Sequence, residues 1–96
     1  MKKQLIYFNI PGMTAKQYDQ CWDELRKAQL QNPPGRIYHV GAQQGNNWVV
    51  YDVWQTVEQF NKFGETLIPI LQKLGVKEVK PVITPVYYEL SGNVYA

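Results

Sequence analysis

Cysteine and histidine are scarce in this chain, which has 96 residues and one of each, Cys21 and His39. A single cysteine cannot form an intrachain disulfide, and one cysteine with one histidine cannot supply a thiolate or His-rich zinc site. We therefore expect no bound metal, and the lone thiol fits a reducing, cytoplasmic location. Cys21 falls at helical spacing with Tyr18, Trp22 and Leu25, which favours a packed thiol over a nucleophile.

The chain also lacks a charge imbalance and a long apolar run. Ten Lys and Arg residues stand against eight Asp and Glu residues, and they are spread along the chain. No basic stripe therefore indicates a nucleic-acid surface, and no run approaches the roughly 18 apolar residues of a membrane span. The length suits one domain covering residues 1–96. We expect a soluble protein with neither a nucleic-acid nor a membrane partner.

The predicted elements follow the order strand, helix, strand, strand, helix, strand. Thr14 and Thr56 each precede a glutamine at the third following position, a capping box that opens a helix with one apolar stripe. Strands are predicted over residues 5–10, 36–40 or slightly beyond, 48–54 and 82–90, with residues 41–47 as a long hairpin loop. This order predicts an α+β, ferredoxin-like βαββαβ sandwich, in which two helices lie on one face of a four-stranded antiparallel sheet.

The second face of that sheet is not polar. Residues 48–54, WVVYDVW, carry apolar side chains at both parities, whereas a strand with one wet face should alternate. Ile6, Phe8 and Ile10 are predicted to face the helices. The residues predicted to face away are mostly apolar or aromatic: Leu5, Tyr7, Asn9, Ile37, His39, Trp48, Val50, Asp52, Trp54, Ile83, Pro85 and Tyr87. An exposed apolar face is unusual on a monomer. We therefore expect a homodimer packed through the sheet face, with a small-molecule pocket between the two sheets.

Several stretches resemble the dimeric α/β-barrel superfamily, close to its antibiotic-biosynthesis-monooxygenase-like and stress-responsive members. These stretches are the opening LIYFN, the strand WVVYDVW followed by TVEQF, the closing PVYYEL, and the segments IYFNIPGMTAKQYDQ and PPGRIYHVGA, which resemble small bacterial proteins of similar length. The resemblance covers essentially the whole chain and implies a homodimeric α/β barrel. The superfamily includes cofactor-free oxygenases, haem-degrading oxygenases, cyclases and members without known activity, so the fold does not select a reaction.

The resemblance to cofactor-free oxygenases implies a phenolic aromatic substrate that reacts with oxygen directly once it is deprotonated, without a bound cofactor. Asn, Trp and Tyr side chains assist in such enzymes, and Asn9, Tyr7, Trp48 and Trp54 would fill these roles. The haem-degrading branch has an iron-ligating His on the second helix, which residues 56–74 lack. Cyclase-like members carry a His in the last strand, where this chain has Tyr87.

His39 is the natural general base, because histidine alone titrates near neutral pH without perturbation. Asp52 is expected within its reach across the second hairpin, and a carboxylate commonly orients a catalytic imidazole. We predict His39, Asp52 and Asn9 as catalytic residues. The predicted substrate-binding residues share aromatic rings suited to a planar ligand: Tyr7, Trp48, Trp54 and Tyr87. Three interpretations stay open: a monooxygenase-like enzyme, a non-catalytic binding module, and a structural dimer with a filled interface.

Overall fold

The computed structural model describes residues 2–94, and Met1, Tyr95 and Ala96, which the predicted domain includes, lie outside the described residues. The elements are β1 (Gln4–Pro11), α1 (Ala15–Lys27), β2 (Arg36–Gln44), β3 (Asn47–Trp54), α2 (Val57–Lys73) and β4 (Val82–Pro85). The strands form one sheet in the order β2-β3-β1-β4, and every neighbouring pair is antiparallel. The predicted ferredoxin-like βαββαβ fold is confirmed.

Both helices begin where the capping residues predicted. The Thr14 hydroxyl accepts a hydrogen bond from the Gln17 amide at 3.1 Å, and the Gln17 side chain accepts one from the Thr14 amide at 3.0 Å. The Thr56 hydroxyl likewise accepts from the Gln59 amide at 3.1 Å. These bonds satisfy amides that have no partner inside the helix. The local sequence therefore determines the first turn of each helix.

Two predicted boundaries are wrong. Residues 41–44 continue β2 and are not part of a loop, so the hairpin to β3 turns tightly at Gly45, whose φ is +61°. β4 ends at Pro85 and does not reach Leu90, because a proline has no amide to donate to the ladder. Beyond it, the Val86 amide still donates to the Lys3 carbonyl at 2.8 Å.

The sheet register overturns the predicted orientation of β3. Ile6, Phe8 and Ile10 lie on the helix side as predicted. Their β3 partners, in that order, are Asp52, Val50 and Trp48. Residues directly opposite each other in an antiparallel pair project to the same face. Trp48, Val50, Asp52 and Trp54 therefore face the helices, contrary to the prediction.

The same reasoning corrects β2 and β4. His39 is opposite Asp52, and Ile83 and Pro85 are opposite Ile6 and Gln4, so all three belong to the helix side of the sheet. Ile37 falls at the register shift between Arg36 and Tyr38, a bulge in β2. Tyr87 follows β4 and is 92% exposed.

The face without helices, called the open face below, is apolar nonetheless. Its residues have the opposite parity: Leu5, Tyr7, Asn9, Tyr38, Val40, Ala42, Val49, Tyr51, Val53, Val82 and Thr84. The rings of Tyr7 and Tyr51 lie 4.8 Å apart on it, and Tyr38 and Val82 are mostly exposed. The reason for expecting a covering partner therefore stands, although different residues form the surface.

The core lies between the sheet and the two helices. Ile6, Leu25 and Trp54 have at most 2% of their surface exposed, and Cys21 and Phe63 pack with them. A second cluster around Trp48 continues the core towards Val76. Among residues 2–94, no helix combines the length and apolar character needed to cross a bilayer.

Candidate active site

His39 and Asp52 form a hydrogen-bonded pair on the helix side of the sheet. They are directly opposite in the β2–β3 register, and His39 Nδ1 lies 2.6 Å from Asp52 Oδ1. Trp54 is two residues along β3 on the same face, and its Nε1 donates to Asp52 Oδ2 at 3.1 Å. Both carboxylate oxygens thus have partners, as a charge with only 4% of its residue surface exposed requires. The expected contact between His39 and Asp52 is confirmed.

Tyr18 extends this pair into a chain of three groups. It projects from α1, and its hydroxyl lies 2.5 Å from His39 Nε2. Because Nδ1 faces a carboxylate, the neutral imidazole carries its proton on Nδ1 and accepts the Tyr18 O–H at Nε2. Burial raises the pKa of the Tyr18 phenol, and the charge of Asp52 raises it further. Tyr18 therefore remains a neutral donor at neutral pH.

A glycine in β2 makes room for the Tyr18 hydroxyl. A Cβ atom built on Gly41 would lie 2.6 Å from that oxygen and 2.8 Å from the adjoining ring carbon. Any larger residue here would displace the phenol from His39. The ring of Trp48 packs 4.7 Å from the Tyr18 ring, centroid to centroid, and Trp22 contacts His39 edge-on at 5.0 Å. The three-group chain is therefore enclosed on several sides.

Arg36 brings a positive charge to the same place. Its Nη2 donates to the Gln31 carbonyl at 2.8 Å and to Asn32 Oδ1 at 3.3 Å, and its guanidinium carbon lies 5.4 Å from the Trp22 ring centre. Its Nη1 is buried without a hydrogen-bond partner. Burial lowers the pKa of Arg36, while the negative charge of Asp52 opposes that change. The guanidinium nevertheless stays protonated, as arginine does in proteins.

These groups form the polar wall of an otherwise apolar cavity of about 60 Å³ between the sheet and the helices. Its lining residues are Phe8, Ile10, Met13, Tyr18, Cys21, Trp22, Leu25, Arg36, His39, Val50, Asp52, Phe63, Leu67 and Leu71. A surface depression of about 420 Å³ at the α1–β2 edge shares Tyr18, Trp22, Arg36 and His39 with the cavity. These four side chains therefore lie between the cavity and this depression.

The structure brings some of the predicted site residues together and separates others. His39, Asp52 and Trp54 form one network, and Trp48 packs on Tyr18 without lining the cavity. The other three lie elsewhere. Asn9 and Tyr7 project from the open face, on the opposite side of the sheet from His39, and the exposed Tyr87 ring lies 5.7 Å from the Lys2 ammonium. The cavity lies within one subunit, whereas the sequence predicted a pocket between two sheets.

Sequence reasoning missed Tyr18 and Arg36. Tyr18 belongs to the apolar stripe of α1, which predicts a packing role for its side chain. Arg36 begins β2, and the residue predicted to act chemically on that strand is His39. The sequence feature that indicates the position of Tyr18 is a phenol on the apolar stripe of α1 together with a glycine, Gly41, on the strand that it faces. Within residues 2–94, no group of three His, Cys, Asp or Glu residues is placed to hold a metal ion.

Comparison with known proteins supports the fold and leaves the reaction open. No family model and no curated protein sequence matches this chain. Among solved structures, a mutant of SnoaB, a cofactor-independent oxygenase from Streptomyces nogalater, aligns with 96% of this chain and 100% of its own, at a TM-score of 0.70 and 13% identity. A dimeric ferredoxin-like protein from an uncultured marine organism aligns with 97% of this chain and 95% of its own, at 0.64 and 14%.

A third structure, a candidate antibiotic biosynthesis monooxygenase from Chloroflexus aurantiacus, aligns with 93% of this chain and 97% of its own, at a TM-score of 0.63 and 12% identity. Identities this low show a shared fold and do not transfer an activity. The chain therefore has the ferredoxin-like fold of the antibiotic biosynthesis monooxygenase-like proteins, as its sequence resemblance implied.

Proposed function

We propose that this protein is a small-molecule enzyme that deprotonates a phenolic aromatic substrate and lets it react with oxygen without a bound cofactor. One observation carries the proposal: a Tyr18–His39–Asp52 hydrogen-bonded chain forms the polar wall of an apolar cavity. A base held by a carboxylate beside an apolar space is the arrangement that proton abstraction needs. SnoaB, a cofactor-independent oxygenase of the same fold, adds support.

The proton moves along the hydrogen bonds already present. The substrate hydroxyl gives its proton to the Tyr18 oxygen while the Tyr18 proton passes to His39 Nε2. Asp52 then stabilises the imidazolium through its bond to Nδ1. This relay leaves a phenolate in an apolar cavity, where little water competes for its charge.

Oxygen supplies the oxidising power for the second stage. The phenolate transfers electrons to O₂, which bonds to the ring carbon para to the oxygen and forms a peroxide. Loss of water from that peroxide gives a quinone. One oxygen atom becomes the new carbonyl and the other leaves as water with the two hydrogens of the original phenol, so a phenol and O₂ yield a quinone and water.

Oxygen uptake with a panel of one-ring and two-ring phenols tests the proposal. We expect His39→Ala to lower the turnover of an accepted phenol by roughly 10²- to 10⁴-fold, the usual loss when a general base is removed. Asp52→Asn should lower turnover as well, because it removes the charge that stabilises the imidazolium. Gln20→Ala, on the exposed side of α1, is the control. The proposal fails if no phenol in the panel increases oxygen uptake, or if His39→Ala keeps wild-type turnover.

The size of the cavity favours a second candidate, a non-catalytic binding or structural dimer. A volume of about 60 Å³ holds only a few water molecules, whereas pockets for drug-sized ligands occupy roughly 300–1,000 Å³. Catalysis on an aromatic ring therefore requires apolar side chains such as Leu67 and Leu71 to move. Both also line a groove of about 230 Å³ beside α2, so their movement would enlarge the cavity. Calorimetry with one-ring ligands identifies a filled structural dimer, since it binds none, and oxygen uptake separates the enzyme from a non-catalytic binding protein.

We also propose that the protein is a homodimer packed through the open face. Exposed Tyr38, Val40, Tyr51 and Val82 make that face apolar, and burial of such surface drives association. A dimeric protein of the same fold supports this assembly. The predicted cytoplasmic location rests on the lone cysteine and is tested by cell fractionation.

A further inference from the structure

Among the described residues that line the cavity, Arg36 is the only charged side chain without a partner of opposite charge. Among residues 2–94, no carboxylate forms a salt bridge with it. The nearby Asp52 has both oxygens committed, to His39 and to Trp54. A buried guanidinium nitrogen without an acceptor is costly, so an acceptor from outside the chain would stabilise it.

The position of Arg36 is fixed before any ligand arrives. Nη2 is bound to the Gln31 carbonyl and the guanidinium lies on the Trp22 ring. These contacts hold the planar group and leave Nη1 as the donor without an acceptor; because Nη1 is buried, an incoming oxygen reaches it only when a neighbouring side chain moves. A donor held in place in advance loses little entropy when it binds an oxygen anion.

We propose that Arg36 recognises the anionic oxygen that a phenol or enol substrate acquires when the Tyr18–His39–Asp52 chain takes its proton. This inference rests on the proposed function and specifies its substrate class. Arg36 lines both the cavity and the outer depression, as Tyr18 and His39 do, so it borders the place where the proton leaves.

Charge balance then selects substrates that are neutral when they enter. After proton transfer, the imidazolium is paired with Asp52, and the phenolate is paired with Arg36. A substrate that also carried a permanent carboxylate would leave one negative charge without a partner in an apolar cavity, which is unfavourable. The site should therefore prefer phenols and enols without a further acidic group.

The experiment uses 4-nitrophenol, whose phenol and phenolate forms absorb differently, and 4-nitroanisole as a neutral probe of the same shape. Binding of both is measured across pH to wild type, Arg36→Met, Arg36→Lys and Arg26→Met. Arg26 is the matched control, because it borders the outer depression but does not line the cavity.

We expect nitrophenol bound to wild type to ionise at a lower pH than free nitrophenol. In Arg36→Met, the preference for phenolate over phenol should fall about tenfold or more, since a hydrogen bond to a charged group is lost. Arg36→Lys should retain part of the preference, Arg26→Met should retain all of it, and 4-nitroanisole should bind all four proteins equally.

The inference is overturned if wild type binds 4-nitroanisole but does not favour the phenolate, or if Arg36→Met keeps the wild-type preference. If Arg36→Met does not fold, Arg36→Lys takes its place, and a wild-type phenolate preference in that variant overturns the inference. Binding of neither probe overturns the inference and the proposed function together. A phenolate preference that depends on Arg36, without oxygen uptake on any phenol, supports anion recognition while the oxygenase proposal fails.

Discussion

Replacing Gly41 with alanine tests whether the site depends on the close approach of the Tyr18 side chain to the backbone of β2. The new Cβ would lie 2.6 Å from the Tyr18 hydroxyl, 2.8 Å from Cζ and 3.0 Å from Cε1. Ordinary contacts of this kind begin at 3.4 Å, so the phenol must move by about 0.8 Å, the difference between the two distances. The 2.5 Å contact between that hydroxyl and His39 cannot survive such a movement unchanged.

Two effects of opposite sign decide the stability of Gly41→Ala. Alanine in a strand gains roughly 0.5–1 kcal/mol over glycine through backbone entropy. Overpacking costs roughly 1–3 kcal/mol, and loss of the Tyr18–His39 hydrogen bond costs roughly 0.5–1.5 kcal/mol more. The free energy of unfolding should therefore decrease by about 0.5–4 kcal/mol. Oxygen uptake on an accepted phenol should decrease at least tenfold, because the relay is broken.

Urea unfolding and oxygen uptake are measured on Gly41→Ala, Tyr18→Phe and the double variant. Gly92→Ala is the control, since a Cβ there meets nothing within 4 Å. Tyr18→Phe already lacks the hydroxyl, so adding Gly41→Ala should cost less in the double variant than alone. If Gly41→Ala matches Gly92→Ala in both measurements, the close approach of Tyr18 to β2 is not what holds the relay together.

Two further predictions concern the core and the open face. Burial raises the pKa of the Cys21 thiol from about 9 to about 11. Between these pH values the folded state keeps a proton that the unfolded chain releases. The contribution of Cys21 to the free energy of unfolding is therefore fully present below about pH 9 and decreases by about 2–3 kcal/mol as the pH rises to about 11. Cys21→Ala should lack this component in urea unfolding at about pH 8 and 11, and an equal loss in both proteins contradicts the assignment. Tyr51→Lys places a charge on the open face and should shift the mass in light scattering from two chains to one, whereas Gln20→Lys on α1 should stay dimeric. A wild-type monomer would refute the proposed homodimer.

The sequence predicted the helices well because their signals are local. Thr14 and Thr56 cap the helices through residues three positions away, and a stripe with a period near 3.6 needs no knowledge of the sheet. The βαββαβ order follows from these elements, and with it the fold. β2 is longer than predicted because residues 41–44 contain no residue that prevents strand pairing. The tight turn to β3 depends on Gly45, which has a positive φ.

Orientation was harder to predict because it depends on register. Alternation along β3 separates two sets of side chains, but both sets are apolar, so only its pairing with β1 shows which set faces the helices. His39 and Asp52 were paired correctly, since two strands joined by a hairpin keep opposite residues on one face. Asn9 was predicted to share a face with them by the same assignment of parity, and the register leaves Asn9 on the open face while it places His39 and Asp52 on the helix side. The contribution of Tyr18 requires the packing of α1 on β2, which no local pattern encodes.

The four side chains shared by the cavity and the outer depression have a kinetic consequence. A molecule that enters from the outer depression must displace Tyr18, Trp22, Arg36 or His39, and it therefore disturbs the hydrogen bonds of the proposed site. On this route a molecule too bulky to displace the Tyr18 phenol would remain outside, however well it fitted the cavity. Size-dependent entry would then contribute, together with affinity, to the choice of molecules that are turned over.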